Sequence, residues 1–145
     1  MKIVLQRVKK AHVEVEGKIT GDIKRGFCLL VGIEKGDTER DAVYLADKIS
    51  GLRVFSDQDG KMNLSIQETG GEILAVSQFT LAGSVKKGRR PSFDSAEKPD
   101  KAEKLFQFFV AQLRDKNIPT ETGIFGAMMD VYLVNDGPVT FIISS

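Results

Sequence analysis

The spacing of apolar residues changes several times along the chain, and each change marks an element. Residues 2–8, 12–15 and 19–23 are short runs rich in Val and Ile, the last two separated by the hairpin-turn sequence Glu16-Gly17-Lys18. The chain therefore opens as sheet. Residues 27–33 are apolar throughout apart from Gly32, as a strand covered on both faces would be. The period then becomes helical. Between residues 38 and 50, Ala42, Leu45, Ala46 and Ile49 share one face, Thr38 and Asp41 form a capping-box pattern, and Gly51 supplies a stop. Residues 53–55 read as a short strand before the turn Asp57-Gln58-Asp59-Gly60, which lacks the ligand series of a calcium loop. Residues 73–79 read as another buried strand. Pro99 opens a second helix with Ala102, Leu105, Phe106, Phe109 and Leu113 on one face, ending before Pro119. Residues 129–134 and 139–143 close the chain as strands.

This order, β-β-(β-α)2-β-β, predicts an α/β fold in which a mixed or barrel-like sheet is covered by two helices. Nothing in the 145 residues reads as a linker, repeat or low-complexity segment, so one domain over 1–145 is expected. The final strand ends almost at the C-terminus as a candidate unpaired edge, and dimerisation through sheet edges is expected from it.

Composition narrows the function classes. With 41% hydrophobic and 28% charged residues the chain has the make-up of a soluble globule, and no run approaches a membrane span. The start, Met1-Lys2-Ile3-Val4-Leu5-Gln6-Arg7, meets charge too early for a signal peptide, so a cytoplasmic location is expected. The single cysteine, Cys28, lies inside an apolar run and reads as core. A net charge of +1 gives no whole-protein attraction to nucleic acid, so any such site must be local. The candidate is Lys86, Lys87, Arg89 and Arg90 around Gly88, a segment that reads equally as a solvated loop or as a presenter of cations to phosphates.

Familiar catalytic templates fail. His12 is the only histidine, and the chain has no Cys/His metal spacing, GxSxG elbow, phosphate loop or dinucleotide fingerprint. No metal or cofactor is expected. Chemistry is sought instead in two short motifs. Ser77-Gln78-Phe79-Thr80-Leu81 lies where a buried strand meets polar sequence; alternation puts Ser77 and Phe79 on one face and Gln78 and Thr80 on the other. Its hydroxyls, amide and backbone N–H groups suit an oxyanion, though a strand end that satisfies its own backbone has the same composition. Asn135-Asp136-Gly137-Pro138-Val139-Thr140 reads as a plain turn or as a rigid pair of acceptors. An X-Pro bond prefers trans by only about 0.5–1 kcal/mol, and a cis bond would aim successive carbonyls the same way. Arg7 is either an exposed strand charge or an anchor for carbonyls. Met128-Met129 reads first as packing, with Met129 taken as the one to border a substrate.

Taken together, the residues resemble the D-aminoacyl-tRNA deacylases (D-tyrosyl-tRNA deacylases) over essentially the whole chain. The resemblance rests on Leu5-Gln6-Arg7-Val8, Phe55-Ser56-Asp57, Gly60-Lys61-Met62-Asn63-Leu64, Val76-Ser77-Gln78-Phe79-Thr80-Leu81, Arg90-Pro91-Ser92-Phe93 and Leu133-Val134-Asn135-Asp136-Gly137-Pro138-Val139-Thr140. It implies a cytoplasmic homodimer that hydrolyses the ester between a D-amino acid and the terminal adenosine of tRNA, and that clears glycine mischarged onto alanine tRNA. It also implies a cis Gly137-Pro138 that enters the partner subunit's site to exclude L side chains, held by Arg7, with residues 77–80 lining the pocket. Two rival readings are a related group with a trans Gly-Pro motif that removes an L-amino acid, and a dimeric nucleic-acid-binding module without catalysis.

Overall fold

A single long strand, β1 (Lys2–Val15), organises the sheet. The computed structural model describes residues 1–86 and 88–145; Lys87, one of the four loop cations, lies outside the described residues. Along one edge of β1 the chain returns as β2 (Lys18–Ile23) and β3 (Gly26–Gly32), pairing Val15 with Lys18 and Lys2 with Gly32. Glu16 and Gly17, both at positive φ, make the tight turn between β1 and β2. Along the other edge runs β8 (Asp130–Ser144), antiparallel from Lys2 with Ser144 to Glu14 with Asp130. Sequence spacing split β1 in two because Lys9 and Lys10 are exposed where the strand passes from one core to another: Ile3 and Leu5 belong to the first, Val8, Ala11 and Val13 to the second.

β6 (Glu72–Ser77) lies parallel to β3, and β7 (Thr120–Thr122), too short to be read from sequence, lies parallel to β6. The sheet then curls back on itself, since a Cβ on Gly21 of β2 would fall 2.7 Å from the Thr122 carbonyl oxygen. The result is a nearly closed, barrel-like mixed sheet. α1 (Glu39–Gly51) and α2 (Pro99–Asp115) cover one outer face. Leu45, Ile49, Leu105 and Phe109 meet Phe27, Leu29, Ile73 and Ala75 there, while Cys28, Leu74 and Val76 point into the barrel with Val8, Val13 and Ile23. β3 and β6 are thus covered on both faces, which is why residues 27–31 and 73–76 are continuously apolar. Burial pushes the Cys28 thiol up to about 11, and the side chain is core, as read.

The expected order is recognisable once β7 and a small hairpin, β4 (Phe55–Ser56) with β5 (Met62–Leu64), are added. The Asp57 carboxylate closes that hairpin by accepting from the N–H groups of Asp59 and Lys61 at 3.0 and 2.9 Å. At the start of α1, the N–H and hydroxyl of Thr38 both donate to the Asp41 carboxylate at 2.8 Å, holding its carboxyl down at about 2. Two expectations need correction. The strand read over 73–79 ends at Ser77, and the strands read over 129–134 and 139–143 are one continuous strand, β8. Among the described residues, no helix is long and apolar enough to cross a membrane.

Candidate active site

The parallel strands β3, β6 and β7 end at one edge of the sheet, at Gly32, Ser77 and Thr122. Carboxyl ends of parallel strands leave backbone groups unladdered, and sites gather there. Half-buried Ser77 closes β6, and the Gln78 N–H still donates to the Val31 carbonyl of β3 at 2.8 Å. The chain then winds into a single 3-10 turn (Phe79–Ala82), with Leu81 N–H donating to Gln78 O at 3.2 Å and Gly83 N–H to Thr80 O at 2.9 Å. The alternation expected across residues 77–80 is therefore lost. Phe79 and Thr80 instead open a turn whose first N–H groups find no carbonyl within it, and both side chains are exposed. The Gln78 side-chain amide donates to Thr80 Oγ1.

Two residues that sequence reasoning passed over hold this turn. Lys2 Nζ donates to the Leu81 carbonyl at 3.1 Å and to Glu34 at 3.2 Å, tying β1 to the turn. At Gly32, a Cβ would fall 2.8 Å from Leu81 Cβ and 3.1 Å from Gln78 O, so only glycine lets the turn seat on β3. The signal was visible as the one break in the apolar run 27–33. Gly32→Ala is expected to displace the turn and lower kcat/KM at least about tenfold, since small misplacements in a site are costly. Stability should fall by only about 1–3 kcal/mol. Unchanged turnover in this variant would show that the turn is not the site.

Met129 borders the same edge. Gly123 follows β7, and a Cβ there would lie 2.5 Å from Met129 Sδ. The reading of Met128-Met129 as packing holds only for Met129, which is half-buried, because Met128 is 93% exposed.

The second motif is neither a plain turn nor regular strand. Both halves of β8 pair with β1, Thr140 opposite Gln6 and Asn135 opposite Val8, so four residues of β8 bulge outward where β1 has Arg7 alone. The Gly137-Pro138 bond is cis, and both residues are exposed. Gly137 has φ +141°, and a Cβ on it would meet Val139 Cγ2 at 2.7 Å. Asn135 closes the base of the bulge: its Oδ1 accepts from Val139 N–H at 2.8 Å and its Nδ2 donates to Val139 O at 3.2 Å. Arg7, only 8% exposed, is an anchor rather than a surface charge. Its Nε donates to the Asp136 carbonyl at 3.0 Å and lies 3.3 Å from the Asp136 carboxylate, while Nη1 donates to the Val54 carbonyl.

These two motifs do not meet within one chain. Ser77 is level with Val31 and Ile3, whereas the bulge is level with Arg7, Phe27 and Ile73. Three strand spacings across and four residues along separate them, on the order of 20 Å over the sheet surface. The basic segment, by contrast, adjoins the turn. Ser84 and Ser92 bridge with N–H to O distances of 2.7 and 2.9 Å, and exposed Lys86, Arg89 and Arg90 occupy the loop between them. Among the described residues, no three of His, Cys, Asp and Glu converge to hold a metal ion.

A family model for D-Tyr-tRNA(Tyr) deacylase matches residues 4–144. The chain belongs to this family. D-aminoacyl-tRNA deacylases of Geobacter sulfurreducens and Bacillus cereus (strain G9842) are 61% and 57% identical to it over 145 residues, covering 100% of this chain and 95% and 99% of theirs. Among solved structures, one described as c-Myc DNA unwinding element binding protein is 43% identical, with a TM-score of 0.95 and coverage of 100% and 99%. A structure described as a probable eukaryotic D-amino acid tRNA deacylase shares the fold at 18% identity, with a TM-score of 0.83 and coverage of 99% and 98%.

Proposed function

We propose that this chain hydrolyses the ester joining a D-amino acid to the 3′-terminal adenosine of tRNA, releasing free D-amino acid and tRNA. The observation that carries the reading is the whole-length family match in a chain whose exposed turn at the end of β6 offers donors but no acid–base pair. An aminoacyl ester is already activated, and the neighbouring ribose hydroxyl can assist the attacking water, so the reaction asks for neither a triad nor a metal. The N–H groups of Phe79 and Thr80 stabilise the tetrahedral oxyanion, a contribution of about 3–4 kcal/mol per donor in comparable sites. Ser77, Gln78 and Met129 line the pocket, and Lys86, Lys87, Arg89 and Arg90 take phosphates.

In this reading Gly137-Pro138 is a chiral gate that acts across a homodimer. A pocket that merely lacks contacts discriminates by about 1–3 kcal/mol per methylene, whereas a wall of carbonyls meeting an L side chain rejects it by clash. A D-amino acid or glycine passes, so glycine mischarged onto alanine tRNA is cleared as well. Two features support action in trans: the motif lies on the order of 20 Å over the sheet surface from its own chain's turn, and among the described residues β8 pairs with β1 alone, leaving an edge flanked by exposed Val134, Phe141 and Ile142. The whole of 1–145 then serves as one catalytic domain, working in the cytoplasm.

Incubation with D-Tyr-tRNA, Gly-tRNA and L-Tyr-tRNA tests this directly. The first two are expected to be deacylated and the third spared; hydrolysis of the L form alone would assign the chain to the L-removing group. Thr80→Ala is expected to keep at least about a tenth of the activity, because the hydroxyl's partner among the described residues is the Gln78 amide, which cannot act as a base. Loss to background would make Thr80 the nucleophile. The name of the 43% identical solved structure favours the nucleic-acid-binding module as second reading, which would bind tRNA in a salt-sensitive way without deacylating any of the three.

A further inference from the structure

The deacylase reading uses the backbone of Phe79 and leaves its ring unexplained. That ring is 61% exposed, and so, at 40%, is the ring of Phe93, which lies against it with centroids 5.0 Å apart and planes tilted by 58°. Exposed aromatic side chains packed edge-on against one another in water mark a surface that expects a flat apolar partner. Three observations say what that partner is. Phe79 is the neighbour of both Gln78 and Thr80, so anything lying on its ring is next to the group held by the turn. Phe93 is the first residue beyond the Ser84–Ser92 bridge, so the ring pair sits at the foot of the loop that carries Lys86, Arg89 and Arg90. None of those three cations has an ion-pair partner among the described residues.

We propose that Phe79 and Phe93 form a stacking platform for the unpaired base that precedes the terminal adenosine of tRNA, with the phosphates of the same single-stranded end held by Lys86, Arg89 and Arg90. Aromatic rings beside a cationic groove are the common means of holding single-stranded nucleic acid, because every base offers a π-face and every nucleotide a charge. The platform is indifferent to the amino acid. It adds affinity for the tRNA end while the turn and the gate judge the ester, so one surface serves tRNAs carrying different residues. The inference rests on the deacylase reading and extends it outward by one nucleotide.

The test varies the substrate first, leaving the protein intact. D-Tyr-tRNA with an abasic nucleotide immediately before the terminal adenosine is expected to lose about tenfold in kcat/KM with the unmodified protein, the scale of one base stacked on an aromatic ring. With Phe93→Ala the normal tRNA is expected to lose a similar factor, and the abasic change to cost less than about twofold more; Phe93→Tyr should restore the sensitivity. A D-tyrosyl ester of adenosine alone, which lacks the preceding nucleotide, should be hydrolysed by both proteins to within about twofold. Equal rates on normal and abasic tRNA, or a Phe93→Ala loss as large on the adenosine ester as on tRNA, would overturn the platform while leaving the deacylase reading in place. Failure of the unmodified protein to hydrolyse any D-aminoacyl ester would overturn both.

Discussion

Replacing the assisting hydroxyl of the terminal ribose by hydrogen is expected to slow hydrolysis of D-Tyr-tRNA at least about 100-fold, the lower end of what a positioned proton-transfer group contributes. The expectation follows from what the site lacks. Residues 77–80 contain no group that titrates near neutral pH, and the lone histidine is committed elsewhere. His12 stacks on Tyr132 with centroids 4.6 Å apart and lies 3.3 Å from Glu14. With backbone donors for an oxyanion but no base for water in residues 77–80, the proposed reaction leaves that task to the substrate. An undiminished rate on the deoxy substrate would sink substrate assistance and send the search back to the protein for a base. The assay should be run under single-turnover conditions, so that product release does not mask the chemical step.

Arg7→Ala should produce the largest effect of any single substitution, because one buried guanidinium holds groups from two separate segments. Its removal strands the Val54 carbonyl, which accepted from Nη1, and releases the Asp136 carbonyl and carboxylate that Nε held. The expected loss of stability is about 2–4 kcal/mol, the cost of leaving buried polar partners unsatisfied. The functional signature differs from a general loss of fold. If the bulge at 136–139 excludes L side chains, loosening it should raise hydrolysis of L-Tyr-tRNA relative to D-Tyr-tRNA by at least about tenfold in the protein that remains folded. Arg7→Lys keeps the charge but not the planar fork, and is expected to fall between the two. A folded Arg7→Ala protein with an unaltered ratio of L to D rates would detach the bulge from chiral selection. Denaturant unfolding alongside the rate assay separates the two effects.

What was legible in the sequence depended on how many residues shared a pattern. The helices were clear because Ala42, Leu45, Ala46 and Ile49, and likewise Ala102, Leu105, Phe106 and Phe109, repeat at helical spacing and are all buried. The strands β3 and β6 were clear because cover on both faces makes residues 27–31 and 73–76 apolar without a break. β7 was missed because three residues carry no period, and its place in the sheet is decided by β6 beside it. The unity of β1 was hidden because its inward positions slip by one between Arg7 and Val8, where it changes cores. The site followed the same rule. Its motifs could be picked out as strings, but the 3-10 turn replaced an expected strand because Gln78 ends the ladder with its N–H and then departs from extended geometry, at φ −141° and ψ 79°. Lys2 gave no sign of its part, since its partner Leu81 is 79 residues away.

One strand, finally, carries both ends of the arrangement. Lys2, near the start of β1, grips the turn proposed to receive the ester, and Arg7, five residues on, grips the bulge proposed to screen the side chain. The interval between turn and bulge is therefore counted in peptide units along a single backbone, not set by the give of loops or by how two helices settle. In a symmetric pair of such chains each β1 would gauge both halves at once, so neither pocket could widen without carrying a screen along with it. β1 would be the ruler of such an assembly, and the Ser84–Ser92 bridge stands outside that measure, since it joins neither Lys2 nor Arg7.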